Sequence, residues 1–134
     1  MKVVFDTNVF VSALVIPSGA AAQALFRVIQ GQDRLFISKE IIHELLSVLS
    51  RKFSRDREAL SRVAFTLSEV AEIVTPTDTV HVLEDEPDNR VIECALCAGA
   101  DVVVTGDKRM LKLSAYGGMR IISVREYLDT IPSE

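Results

Sequence analysis

At 134 residues the chain has room for one domain, and 49% hydrophobic residues give it a sizeable core, which excludes a disordered chain. Its 15 Lys and Arg against 19 Asp and Glu give a net charge of -4, so no global basic field exists and any contact with a polyanion must be local. Cys94 and Cys97 have no second Cys or His pair to complete a zinc site and sit in an apolar helical pattern, so they read as small buried hydrophobes.

Lys2, an apolar stretch and Ala20-Ala21-Ala22 outline a signal peptide, but Asp6 and Asn8 interrupt it. No other apolar run reaches the roughly 20 residues of a membrane span, so a soluble cytoplasmic protein without a membrane partner is expected. Val3-Val4-Phe5 predicts a strand buried on both faces. Asp6-Thr7-Asn8 offers N-cap side chains for a helix over Val9, Phe10, Ala13 and Leu14 that ends at Pro17-Ser18-Gly19. A second helix follows over about 20–30, closed by Gly31. Leu35-Phe36-Ile37 predicts the next strand, and Ser38 caps a helix over 39–52 whose stripe is Ile41, Ile42, Leu45, Leu46, Val48 and Leu49.

A further helix is expected over roughly 56–72, then a strand at either Ile73-Val74 or Val80-His81-Val82. Pro87 stops the preceding element, and Asp88 is placed to cap an apolar helix that runs to Gly99. Val102-Val103-Val104 is the clearest parallel-type strand. Thr105-Gly106-Asp107 opens a short helix, Gly117-Gly118 is a turn, Arg120-Ile121-Ile122 is a strand, and Ser123 with Glu126 forms a capping box for the last helix. Strands alternating with helices imply βαβ units, hence a three-layer α/β/α sandwich with a central, mainly parallel sheet over residues 1–134.

In such a sheet ligands bind outside the carboxyl ends of the strands. Asp6 follows the first strand, Asp107 comes just after Val102-Val103-Val104, and Asp88 stands where a buried helix begins, so three remote carboxylates can converge. Glu44 borders the apolar stripe of the 39–52 helix and can reach the same crevice. Singly, Asp6, Asp88 and Asp107 read equally well as helix caps, and Glu44 as a solvated helix residue; their joint placement favours a ligand set. Packed carboxylates repel, and a hard divalent cation removes the conflict. An all-oxygen donor set favours Mg²⁺ or Mn²⁺, whose chemistry is in-line displacement at a phosphodiester without a protein nucleophile. Asn8 and Thr105 read either as residues that orient carboxylates or bind water or as ordinary caps and turn formers, and Asp85 reads first as a turn residue that can border the site. Of the basic residues, Lys108 and Arg109 stand next to Asp107. Arg51, Lys52, Arg55 and Arg57 form the densest run, readable as solvated surface or as a phosphate contact.

Val3-Val4-Phe5-Asp6-Thr7-Asn8-Val9 resembles the opening motif of PIN domains. Glu44 matches the glutamate on the helix after the second strand, Asp88 the aspartate opening the long buried helix, and Thr105-Gly106-Asp107 the fourth-acid motif. The likeness runs from Val3 to about Leu128. The Asp85-to-Asp107 segment and the Tyr116-Gly117-Gly118 turn are most similar to the VapC-like toxins of toxin–antitoxin pairs. The resemblance implies a Mg²⁺- or Mn²⁺-dependent endoribonuclease, dimeric, and silenced by an antitoxin. One departure is Pro87, which stands where acid-rich versions have another aspartate.

Two other classes compete. A phosphotransfer protein also uses an Asp after the first strand, but its phosphatase form needs a second Asp at Asn8 and its receiver form a lysine after a late strand, where Ser123 follows Ile122. A non-catalytic binding module would keep the fold without the full set of acids.

Overall fold

Side chains along a strand point alternately to opposite faces, so an unbroken apolar strand needs cover on both sides. The computed structural model, which describes residues 1–52 and 56–130, shows how that cover is provided. Chain order is β1 (Lys2–Phe5), α1 (Thr7–Val15), α2 (Ala20–Ile29), β2 (Arg34–Ser38), α3 (Lys39–Lys52), α4 (Arg57–Val70) and β3 (Ala71–Val74). Then follow α5 (Glu86–Ala98), β4 (Val102–Val104), α6 (Lys108–Leu113), β5 (Ala115–Tyr116), β6 (Met119–Ile122) and α7 (Val124–Asp129). The strands form one sheet in the order β3-β2-β1-β4-β6-β5. All neighbours run parallel except the β5–β6 hairpin.

Val3, Val4, Phe5, Val103 and Val104 in the two central strands are shut off from solvent, so helices lie on both faces of the sheet and the α/β/α sandwich stands. The Phe5 ring meets Phe10 of α1 and Tyr127 of α7, with centroids 5.6 and 5.8 Å away. Helix α5 packs on β1, β2 and β4 and against α3. Among the described residues no single helix is long and apolar enough to cross a membrane.

Several local expectations need correction. Ala71 is not helical: it caps α4 in an extended conformation and pairs with Leu35, because Ile73 and Val74 gain more from the β2 ladder than from another helical turn. The strand after α4 is therefore β3, and residues 80–82 form no strand. Asp88 is not the N-cap of α5; Asp85 is, and Pro87 sits in the first turn, where its missing N–H costs no intrahelical bond. Of the two free cysteines, Cys94 is buried but Cys97 is exposed, because it stands about 60° round the helix from Cys94, beyond the edge of the packed face. Strand β5 was not anticipated. Gly117 and Gly118, at φ 56 and 86°, make the two-residue turn that folds it onto β6, and a side chain at Gly117 would run into Leu96. Arg55 lies outside the described residues.

Candidate active site

The strand order reverses direction at β1, whose neighbours β2 and β4 continue the chain on opposite sides, so the crevice of this sheet opens at the carboxyl ends of β1 and β4. Asp6 leaves β1 there, and its N–H donates to the Val104 carbonyl at 2.9 Å, continuing the ladder by one residue. Asp6 occupies the N-cap position of α1, yet its side chain makes no cap hydrogen bond; it accepts instead from the Thr105 hydroxyl at 2.8 Å. That hydroxyl also accepts from the Asp107 N–H at 3.0 Å, so one fully buried threonine ties the two loops together.

Asp107 does cap its helix. Its Oδ1 accepts from the Arg109 and Met110 N–H groups at 2.7 and 3.4 Å, which leaves Oδ2 uncommitted to the cap. Asp88 reaches the same crevice from the first turn of α5 and is only 8% exposed. Burial, then the charges of Asp6, Asp85 and Asp107, push its carboxyl up to about 7, while Arg109 pulls the other way. Asp6 is also raised, first by burial and partly through Asp107, against the lowering effect of the Thr105 hydroxyl. The three aspartates thus share one field, and in the absence of a cation their charges conflict.

Glu44 stands beside this group rather than within it. It lines a hollow of about 190 Å³ together with Thr7, Glu40, Pro87 and Arg90. A second hollow, of about 220 Å³, opens on the other side, between Asn8, Ser12, Gly106 and Asp107. Asp85 and Asn8 are both exposed at the rim. Among the basic residues, Arg109 is near enough to act on the Asp88 carboxyl and pairs with Glu84 at 3.7 Å, while Lys108 is exposed next to Asp107. Arg51 and Lys52 lie at the far end of α3, about 20 Å along a 14-residue helix from its start at β2, and are not brought to the acids.

Sequence reasoning passed over the polar face of α5. Asn89, fully buried, accepts from the Val82 and Leu83 N–H groups at 3.1 and 2.9 Å and donates to the Leu83 carbonyl at 2.8 Å. Glu93 accepts from the Val80 N–H at 2.9 Å and pairs with Arg90 at 2.8 Å. These side chains sew residues 80–83 onto the helix and so fix the loop that delivers Asp85. The signal was present as Asn89, Arg90 and Glu93 in a helix whose remaining positions from Val91 to Ala98 are apolar.

The donor set suits a hard divalent cation: two buried carboxylates and a half-buried one whose repulsion Arg109 and Thr105 only partly offset, with no competing thiolate or imidazole among them. Among the described residues no three His, Cys, Asp or Glu side chains are gathered closely enough to cage an ion by themselves. Mg²⁺, which holds one or two carboxylates and keeps several waters, does not require such a cage.

The PIN domain family model matches residues 2–109. The chain is 32% identical over 117 residues to an uncharacterized protein of Methanocaldococcus jannaschii, a span of 84% of this chain and 75% of that one. In fold it is similar to the structure of VapBC2 from Rickettsia felis bound to a promoter DNA fragment, with a TM-score of 0.65 at 18% identity, covering 92% of this chain and 98% of that one. It is equally similar to VapBC-1 from nontypeable Haemophilus influenzae, with a TM-score of 0.67 at 15% identity over 93% and 99% of the two chains. The Asp6 motif, the crevice between β1 and β4 and the family match agree: the chain belongs to the PIN domain family.

Proposed function

We propose that the protein is a divalent-metal-dependent endoribonuclease, the VapC-like toxin of a toxin–antitoxin pair. The observation that supports this reading is the tie at the carboxyl ends of β1 and β4, where the Thr105 hydroxyl donates to the Asp6 carboxylate and accepts from the Asp107 N–H, with Asp88 near enough for both charges to raise its carboxyl. These three carboxylates are the proposed ligands of Mg²⁺ or Mn²⁺, directly or through water. The ion, when bound, supplies Lewis-acid activation for hydrolysis of a phosphodiester.

The chain's own residues do the rest. Thr105 holds the Asp6 carboxylate in place and ties it to the Asp107 loop. Asp85 adds negative charge beside Asp88, and Asn8 offers a side-chain amide at the rim. Glu44 completes the catalytic set from the flank. Lys108 and Arg109 supply local positive charge for the RNA backbone, which a chain of net charge -4 needs at this point. Arg51 and Lys52, at the distant end of α3, would touch only an RNA long enough to extend along that helix.

An antitoxin and a second copy of the chain are the proposed protein partners. Leu14, Val15 and Ile16 beside Phe26 and Ile29 leave large apolar side chains around half exposed, next to hollows of about 450 and 480 Å³ on α1, α2 and α4. Patches of this kind mark protein contacts more often than bare surface.

Cleavage of mixed single-stranded and structured RNA, with Mg²⁺ or Mn²⁺ and with chelator, tests the enzyme. Chelator-sensitive cutting is expected. Asp6→Asn should lose roughly a hundredfold or more, since even partners one shell out from a metal are worth 10–100-fold. Its circular dichroism spectrum should be unchanged, because the substitution removes charge and little volume. RNA left intact by the wild type across that range would favour the non-catalytic binding module, and a stable acyl-phosphate on Asp6 the phosphotransfer reading.

A further inference from the structure

The acids sit between two hollows, so a single strand laid across them places one nucleotide on each side of the bond under attack. The hollow between α1, α3 and α5 has a distinct chemistry. Thr7 and Pro87, the chain neighbours of Asp6 and Asp88, form its boundary with the acids, so whatever enters it lies directly beside them. Ile41 and Pro87 give it apolar walls, while Glu40 and Glu44 line it with carboxylates. Arg90 faces them. Its guanidinium is held by Glu93 at 2.8 Å, by Glu86 at 3.3 Å and by the Val80 carbonyl at 3.3 Å. Its side chain is about 29% exposed, so part of the guanidinium edge is open to a ligand acceptor.

We propose that this hollow is a guanine subsite for the nucleotide adjoining the scissile phosphodiester, with Glu40 as the carboxylate that reads the base. The proposal rests on the ribonuclease reading for its place in catalysis, but not for its binding chemistry. Proteins that read RNA sequence take unstacked single-stranded bases and bond their Watson–Crick edges. On that edge guanine carries two adjacent donors, N1–H and the N2 amino group, which match the two oxygens of one carboxylate as a bidentate pair. Adenine and cytosine place an acceptor ring nitrogen beside their amino group, and its lone pair opposes the second carboxylate oxygen. Uracil offers a single N–H between two carbonyls. The remaining guanine acceptor, O6, is the atom that arginine commonly bonds, and Arg90 stands across the hollow from the glutamates. Glu86 also lines the hollow, but its carboxylate is engaged by Arg90 and His81. Glu40 is exposed in the first turn of α3, free to turn toward a base, so Glu40→Gln should leave the fold in place.

The test separates binding from cleavage. The 5′-monophosphates of guanosine, adenosine, cytidine and uridine are titrated calorimetrically into the Asp6→Asn protein. They share the phosphate and sugar, so differences report the base. Guanosine monophosphate should bind roughly tenfold or more tightly than the others, the discrimination of one good bidentate contact. Adding Glu40→Gln, which sets an amide N–H₂ against the guanine donors, should erase that preference while leaving the other three affinities in place. Equal affinities, no measurable binding, or a preference that survives Glu40→Gln would overturn the proposal. Sequencing the ends of RNA cut by the wild type then places guanine next to the cut. Selective binding with no cleavage would sink the ribonuclease and keep the subsite. Cleavage without selective binding would sink the subsite and keep the ribonuclease.

Discussion

Asp88 is the residue on which charge and fold act most directly against each other. Its carboxyl stands at about 7 against an ordinary 3.8, first because it is buried and then because Asp6, Asp85 and Asp107 surround it. A pKa raised in the folded state contributes stability that is complete below the unfolded value and is lost as the pH climbs through the folded one. Metal-free protein should therefore lose melting temperature between about pH 4 and pH 7, and Asp88→Asn should lose less across that interval because its side chain does not ionise. Saturating Mg²⁺ or Mn²⁺ should flatten the wild-type curve, since a cation favours the ionised carboxylate and stabilises the state that binds it. Scanning calorimetry at a series of pH values measures all three. Parallel curves for wild type and Asp88→Asn would mean that the aspartate titrates near its ordinary value.

At the level of elements, α5 does two jobs with two sets of residues. Val91, Ile92, Cys94 and Ala95 bury the helix against the sheet, while Asn89, Arg90 and Glu93 fasten the preceding loop to it. The amide of Asn89 satisfies two backbone N–H groups and one carbonyl that the irregular segment 80–83 cannot pair for itself. Asn89→Ala leaves those groups without their partner and should cost about 1–3 kcal/mol of stability. Hydrogen exchange should show which part loosens: the amides of residues 80–85 should exchange faster while those of β1 and β4 keep their protection. Uniform acceleration over the whole chain would instead indicate a general loss of stability with no local clamp. The amphipathic period of α3 and α5 was legible in the sequence, but this clamp was not, because the loop residues that Asn89 serves carry no polar pattern of their own.

Over the whole molecule, a buried polar knot joins parts of the chain that the sheet alone leaves apart. The Asp33 carboxylate accepts from the Met1 amine at 2.8 Å, from Arg27 Nε at 2.8 Å and from the Tyr127 hydroxyl at 2.6 Å. Burial drives Asp33 up, but the amine, the hydroxyl and the Arg27 charge outweigh it and hold the carboxyl below its ordinary value. Arg27 also donates to the Tyr127 and Thr130 carbonyls and lies 4.4 Å over the Tyr127 ring. Helix α2, the approach to β2 and the end of α7 are thereby locked to one another. Arg27→Met keeps most of the volume and strands the carboxylate, so urea denaturation should show a loss of about 3–5 kcal/mol. A change under 1 kcal/mol would mean that the amine and the hydroxyl suffice to hold Asp33.

What the sequence determined by itself was whatever local periodicity encodes. The β-branched runs of β1 and β4, the 3.6-residue stripes of α3 and α4, and the Ser123–Glu126 box that both backbone and side chains form in α7 all follow from near neighbours. The order of acids along the chain likewise singles out Asp6, Asp88 and Asp107 as candidates. Tertiary structure alone decided that Ala71 joins a strand, that Asp85 and not Asp88 caps α5, and that Glu44 flanks the acids beside Glu40 and Arg90. Those outcomes depend on which surfaces meet across the sheet. Burial and charge at a given carboxylate are set by groups remote in sequence, and no window along the chain contains them.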